Sequence, residues 1–173
     1  MQDPVRPLLR RAREAAHAPV VRADMRALPF AWHAFDVVVN LFTSFGYFED
    51  DAEHQGVVDA VAHLLAPGGQ FVLDFLNAER VCRTLVPEEA CALGDTPVTI
   101  RRRVTADRRF VEKNVIRTDD GRGWHERVRL FTPGDLEAMA VRAGLRVRRR
   151  LGNYAGDDWH DEAPRTILVL EPA

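Results

Sequence analysis

The chain has 173 residues, 24 basic and 26 acidic side chains, a formal net charge of −2 and 46% hydrophobic residues. That length supports one domain with a real core, and that composition excludes wholesale disorder. The charge balance gives no global pull toward nucleic acid or an anionic membrane. Lys113 is the one lysine; the arginine bias of the other basic residues reads first as coding composition. Cys82 and Cys91 form neither a metal motif nor a disulfide framework, so free thiols in a reducing compartment are expected. No apolar run approaches the roughly 20 residues of a membrane span, and the arginine-rich start has no hydrophobic signal region. A cytoplasmic location with no membrane partner is the expectation.

Residues 4–17 predict an amphipathic helix with Val5, Leu8, Leu9, Ala12 and Ala16 on one stripe, Pro4 and Pro7 in its first turn and Pro19 ending it. Val20–Asp24 predicts a short strand. Phe35–Phe42 is nearly continuous apolar sequence, the pattern of a central strand buried on both faces. A helix follows over 52–66, capped by Asp50 or Asp51 and stopped by Pro67-Gly68-Gly69. Gln70–Leu76 is the next buried strand. The helix between the two long strands implies a parallel pair joined by a right-handed crossover.

From residue 97 the character changes. Pro97–Val104, Arg109–Thr118 and Arg122–Phe131 alternate polar and apolar residues, and Asp119-Asp120-Gly121 is a hairpin signal. An antiparallel meander is expected there, carrying Arg101, Arg102, Arg103, Arg108 and Arg109. Thr132-Pro133-Gly134-Asp135 starts a helix that Gly144 closes. Strands over Leu145–Leu151 and Arg165–Glu171 flank a loop of acids and aromatics.

Taken in order, several of these pieces resemble the class I S-adenosylmethionine-dependent methyltransferases of the small-molecule type. Val20–Asp24-Met25 is similar to the family's third strand and adenine-binding acid. Phe35–Asn40 is similar to its fourth strand, and Leu64-Leu65-Ala66-Pro67-Gly68-Gly69 resembles its turn into the fifth. Thr132–Gly144 resembles the helix before the sixth strand, and Gly152-Asn153-Tyr154 with Pro164–Val169 its closing hairpin. Asp24-Met25-Arg26 together with Ser44-Phe45-Gly46-Tyr47 is similar to the amino-sugar N-methyltransferases and, more distantly, to glycine N-methyltransferase.

The resemblance implies an α/β fold: a partial Rossmann-like class I methyltransferase sheet with an inserted antiparallel β meander. Residues 1–173 would be a single, N-terminally incomplete domain, with the substrate-side meander at 97–131. The family's first two strands and its glycine-rich loop find no counterpart in the sequence, so truncation or a late start is expected, with roughly 60 residues missing at ~30 per βα unit. S-adenosylmethionine is the implied cofactor, its binding weak or lost without that loop. A small-molecule acceptor would be methylated on N or O.

Site residues follow residue by residue. Asp24 and Met25 would meet adenine, and Asn40, Leu41 and Phe42 the rest of the cofactor. Ser44, Phe45, Tyr47, Asp74, Asn77, Tyr154 and Arg165 would face the acceptor. For Asp24 a turn cap, for Asp74 and Asn77 an Asx turn, and for Asn40 the satisfaction of strand-end backbone, stand as alternatives. No catalytic base and no metal site is evident; His54 and His63 read as surface residues and His125 as a candidate. Two other functions remain open: a non-catalytic methyltransferase-like remnant with an assembly or regulatory role, and a nucleic-acid binder using the arginine strands, which the net charge disfavours. With two strands missing, Phe35–Phe42 would be a bare apolar edge. Either Val20–Asp24 pairs with it directly, or a second copy of the chain covers it as a homodimer.

Overall fold

The computed structural model describes residues 5–16 and 18–173. Helix α1 spans Val5–Ala16; residues 1–4 and 17, including Pro4 of the expected first turn, lie outside the description. No α1 side chain joins the core among the described residues, and Leu8 and Ala12 of the expected buried stripe are exposed. The stretch expected to be a strand at Val20–Asp24 is not one. It ends in a tight turn in which Ala27 N–H donates to Asp24 O at 2.9 Å, and the Asp24–Ala27 bridge is its ladder contact.

The main sheet is built from β1 (Phe35–Asn40), β2 (Leu65–Leu76), β7 (Leu145–Leu151) and β8 (Arg165–Pro172), in the order β1-β2-β8-β7. β1 and β2 are parallel, as their connecting helix α2 (Asp51–Leu64) requires; the other pairs are antiparallel. β2 is the buried strand, with Phe71, Leu73 and Phe75 inside. β1 departs from expectation. It lies at the sheet edge with Val37 and Val39 55% and 54% exposed, because β2 is its one strand neighbour among the described residues.

The Pro67-Gly68-Gly69 stop is absorbed as a bulge: Phe35 pairs with Leu65 but Val37 with Gln70. Gly68 takes φ +77°, and a Cβ on Gly69 would stand 2.9–3.1 Å from the carbonyl oxygens of Ala66, Asp36 and Phe35. Only glycine lets the two strands approach so closely there.

Helix α4 (Pro133–Arg142) has the full capping box of Thr132 and Asp135 and packs beside α2 and β7. Gln55 fastens the two helices, donating to Met139 O at 3.0 Å and accepting from Arg142 Nε at 2.8 Å. Between β2 and α4 runs a second sheet, the meander β3-β4-β5-β6 over Glu88–Leu93, Thr96–Val104, Phe110–Arg117 and Gly123–Arg129. Its last three strands match the alternating segments of the sequence. The first strand, and the short helix α3 (Ala78–Thr84) before it, do not appear in the sequence reading. Both had signals: Asn77 is a good helix cap, and Gly94-Asp95 is a two-residue hairpin loop.

The meander joins the core through Val128, Leu130 and Phe131. It is also bolted to the loop before α2. Arg129 N–H donates to Gly46 O at 2.8 Å, and Gly46 has φ +98° with no room for a Cβ against Val128 and Phe75.

Candidate active site

Two groups of side chains meet near the carboxyl end of β1, where an open α/β sheet offers its ligand edge. The first is a cavity of about 420 Å³ that follows the open edge of β1 from Phe35 to Asn40, walled by Val57, Val61 and Leu64 of α2 and by Met25 and Phe30, with Asn40 and Ser44 at its polar end. That size falls in the range of small-ligand pockets, and the lining is apolar apart from the strand-end Asn40 and Ser44. Met25 and Leu28 reach it because the Asp24–Ala27 turn folds them against the core.

Asp24 itself is exposed, and its carboxylate is engaged by Arg26. Oδ1 accepts from Arg26 N at 2.9 Å and from Nε at 3.0 Å, and Oδ2 accepts from Nη2 at 2.6 Å. These bonds, side chain first and backbone second, hold its pKa at about 2. Arg26 continues to Glu53 on α2 and lies 4.9 Å from the Phe48 ring centroid. The turn-capping alternative for Asp24 therefore describes its geometry. Asn40 Oδ1 lies 3.1 Å from the Ser44 hydroxyl, whose single proton is shared with Leu41 O at 2.5 Å.

The second group is centred on Asp74, which is 0% exposed. Its Oδ2 accepts from Phe42 N at 2.7 Å and from the Tyr154 hydroxyl at 2.6 Å. Its Oδ1 accepts from Arg165 Nε at 2.7 Å. Arg165 Nη2 goes on to Thr43 Oγ1 at 2.9 Å, while the Asp74 carbonyl accepts from Thr43 N at 3.3 Å. Phe42 and Thr43 both take left-handed conformations, φ 56° and 59°. Such geometry costs an L-residue roughly 1–2 kcal/mol, so the elbow persists because its surroundings impose it. Above the carboxylate stand two exposed rings, Phe42 (78%) and Tyr154 (63%), edge to face with centroids 6.3 Å apart. The hydrogen bond to Asp74 is the main cause of a raised Tyr154 phenol pKa.

The structure thus brings Met25, Asn40 and Ser44 to one cavity, and Phe42, Asp74, Tyr154 and Arg165 to one cluster. Leu41 lies on the short link between them, half-buried. Phe45 is corrected: it faces inward, packed against His54, Phe75 and Phe131, because the turn at Gly46 reverses the chain into the core. His54 is corrected likewise. It is fully buried, accepting from Phe48 N at 3.3 Å through Nε2 and lying 3.0 Å from Asp50 O through Nδ1. Burial first of all lowers its pKa, so it is held neutral. His63 is exposed, as expected.

Asn77 is buried too. Its Oδ1 caps α3 through Arg80 N at 3.3 Å, and its Nδ2 donates toward Ala163 O and Asp161 O at 2.9 and 3.1 Å. Asn77 is thus corrected: expected to face the acceptor, it is buried with both ends of its amide engaged, and the alternative Asx role is the one its atoms perform. Tyr47 is half exposed and turned toward the meander; burial and then the charge of Glu126 raise its pKa. His125 is exposed on β6, 3.0 Å from Asn114 Oδ1.

The meander arginines singled out in the sequence are each matched by an acid. Arg101 meets Glu88 at 2.8 Å, Arg102 Glu89 at 2.9 Å and Arg103 Glu112 at 2.5 Å. Arg108 meets Glu79 at 3.4 Å and Arg109 meets Asp51 at 3.1 Å. Thr43 was missed altogether, since its arginine partner lies 122 residues away and no local pattern marks it.

Residues 1–69 match a family model described as a methyltransferase domain. No curated protein matches the chain. Among solved structures it is similar to the CcbJ methyltransferase from Streptomyces caelestis, at 23% identity and TM-score 0.80, over 96% of this chain and 76% of that one. A S-adenosylmethionine-dependent methyltransferase from Clostridium acetobutylicum superposes with TM-score 0.81 at 14% identity, over 100% and 72% of the two chains. CalS10 from Micromonospora echinaspora, an amino pentose methyltransferase of calicheamicin biosynthesis, gives 0.63 at 23% identity over 97% and 71%. The fold is that of the S-adenosylmethionine-dependent methyltransferases, with a Rossmann-like sheet and an added antiparallel sheet. The resemblance read from the motifs stands at the level of the fold, and the first 69 residues match a methyltransferase-domain model.

Proposed function

We propose that this protein transfers a methyl group from S-adenosylmethionine to nitrogen or oxygen of a small polar molecule. The observation that carries the reading is the convergence of Met25, Asn40 and Ser44 on one cavity beside the exposed Phe42–Tyr154 pair. The cavity fits an adenosyl group in kind: apolar walls suit a purine face, and Asn40 sits where the strand ends and a polar group can be oriented. Asp24, Met25, Asn40, Leu41 and Phe42 are assigned to the cofactor in this reading. Ser44, Tyr47, Tyr154 and Arg165 are assigned to the acceptor side.

The cofactor supplies an electrophilic methyl group on a sulfonium. The protein's part is to align an acceptor lone pair with it and to exclude water, and alignment of this kind carries much of the rate. Aromatic rings at the cluster suit a cation, whether sulfonium or ammonium, by their negative faces. An amine acceptor is favoured over a hydroxyl because none of the candidate acceptor residues offers an unengaged carboxylate or imidazole as base. Amino sugars are the first class to test, since CalS10 is an amino pentose methyltransferase of similar fold.

The open outer edge of β1 supports a second element of the proposal: two copies associate across it and close the outer side of the cavity that Val37 and Val39 line. Among the described residues no helix is long and apolar enough to cross a membrane, in keeping with a proposed cytoplasmic location. Transfer of tritiated methyl from S-adenosylmethionine to a panel of amino sugars tests the activity. Labelled product is expected with at least one amine and not with its N-acetyl derivative; labelling of neither would count against amino sugars as acceptors, and folded protein that does not bind the cofactor would leave the remnant reading.

A further inference from the structure

We infer that Asp74 is a positioning residue: from beneath the cleft its carboxylate sets Phe42, on the cofactor side, and Tyr154, on the acceptor side, as one fixed aromatic wall where the two meet. The inference rests on the methyl-transfer reading above. A side chain with no exposed surface cannot itself meet an acceptor, which distinguishes Asp74 from the residues assigned there.

Its hydrogen bonds reach the elements that make the rim. Phe42 N belongs to the loop after β1, Tyr154 to the loop after β7, and Arg165 to the first position of β8. Arg165 closes the circuit by holding Thr43. Each of these segments has a reason to move without it. Phe42 and Thr43 occupy left-handed backbone that L-residues avoid. Tyr154 lies in a turn, and its ring is mostly solvated. A fully satisfied buried polar network is the kind of restraint that holds such loops in one arrangement. The charge of Asp74 is balanced by Arg165, so the network adds no net charge beneath the site.

Asp74→Asn keeps the shape and removes the charge. The chain has two tyrosines, so a Tyr47→Phe background leaves Tyr154 as the sole phenol for ultraviolet titration. With Asp74 present the phenol should ionise above its ordinary value of about 10, and Asp74→Asn should bring it back. In hydrogen exchange, peptides covering residues 41–47 and 152–160 should exchange about tenfold faster in Asp74→Asn, while α2 and the middle of β2 stay protected. An unchanged phenol titration with unchanged loop exchange would overturn the inference. So would acceleration spread evenly over the sheet, which would make Asp74 a pillar of the fold rather than a positioner. Titration of the unsubstituted protein with S-adenosylhomocysteine reports separately on the parent reading. Loop and phenol changes without such binding would remove methyl transfer but not the restraint.

Discussion

Arg129 and Asp51 form a two-pronged ion pair, Nε to Oδ1 at 3.0 Å and Nη2 to Oδ2 at 3.3 Å, that joins the last strand of the meander to the first turn of α2. The arginine is nearly buried, its guanidinium also covers the Phe131 ring at 4.7 Å, and Arg109 adds a third contact to the same carboxylate. Planar, two-point pairs of this kind are among the stronger surface-to-core links. This one fixes how the second sheet meets the loop that carries Ser44 and Tyr47.

Arg129→Met should therefore lower stability by about 1.5–3 kcal/mol, the range for hydrogen bonds to charged groups. Urea denaturation measures it. Asp51 also gives the pair a pH dependence. Burial alone would raise its pKa, but the hydrogen bonds from Arg129 and the nearby arginine charges outweigh it and lower the value below 3.8. A depressed carboxylate adds stability above the unfolded pKa and loses it as pH falls through the folded value. Acid unfolding of Arg129→Met should accordingly lose part of its steepness below pH 4.

His54 gives a second pH dependence, at higher pH. It is buried among Phe45, Phe48 and Phe131 and accepts a hydrogen bond from Phe48 N. Its folded pKa lies below 6.5, so the unfolded chain binds the proton first. The neutral ring's contribution is whole above pH 6.5 and falls as pH drops from there toward the folded value. Melting temperature should decline from pH 7.5 to pH 5.5 in the natural protein and decline less in His54→Gln. Equal slopes would assign the effect to other groups.

Asn77→Ala should cost about 2 kcal/mol. The substitution removes a helix cap worth ~1 kcal/mol and strands the buried carbonyls that its amide serves, at ~1 kcal/mol or more. The loss should appear in urea denaturation, with proteolytic cutting near residues 158–163 as the local sign.

Gly46→Ala should destabilise by about 1–3 kcal/mol, since the added methyl meets Val128 at 3.0 Å and the backbone sits at φ +98°. Because Gly46 O also receives the meander's Arg129 N–H, exchange at β6 should rise with it.

The parallel β1–α2–β2 unit was readable because each element states its own period: an apolar run, a 3.6-residue stripe, then a second run. The meander strands were readable for the same reason, with period two. What failed was whatever depends on neighbours. Val20–Asp24 has strand-like residues, but a strand needs a pairing partner, and the chain gives this segment a turn instead. Phe35–Phe42 has the composition of a central strand, yet its exposure is set by how many strands flank it. His54 reads as polar at a helix start, and only the packing of Phe45, Phe48 and Phe131 around it shows why it is buried. The candidate site follows the same division. Asn40 and Ser44 follow from a strand end and its loop, whereas the Asp74–Tyr154–Arg165 circuit joins residues about 80–90 positions apart and was visible only as separate names.

Calorimetric titration of the folded chain with S-adenosylhomocysteine tests the cofactor assignment most directly. The account predicts saturable binding with Kd on the order of 100 μM or tighter, about −5.5 kcal/mol, weakened about tenfold by Asn40→Ala. Absence of binding by a chain that circular dichroism shows to be folded, or binding that Asn40→Ala leaves untouched, would contradict it.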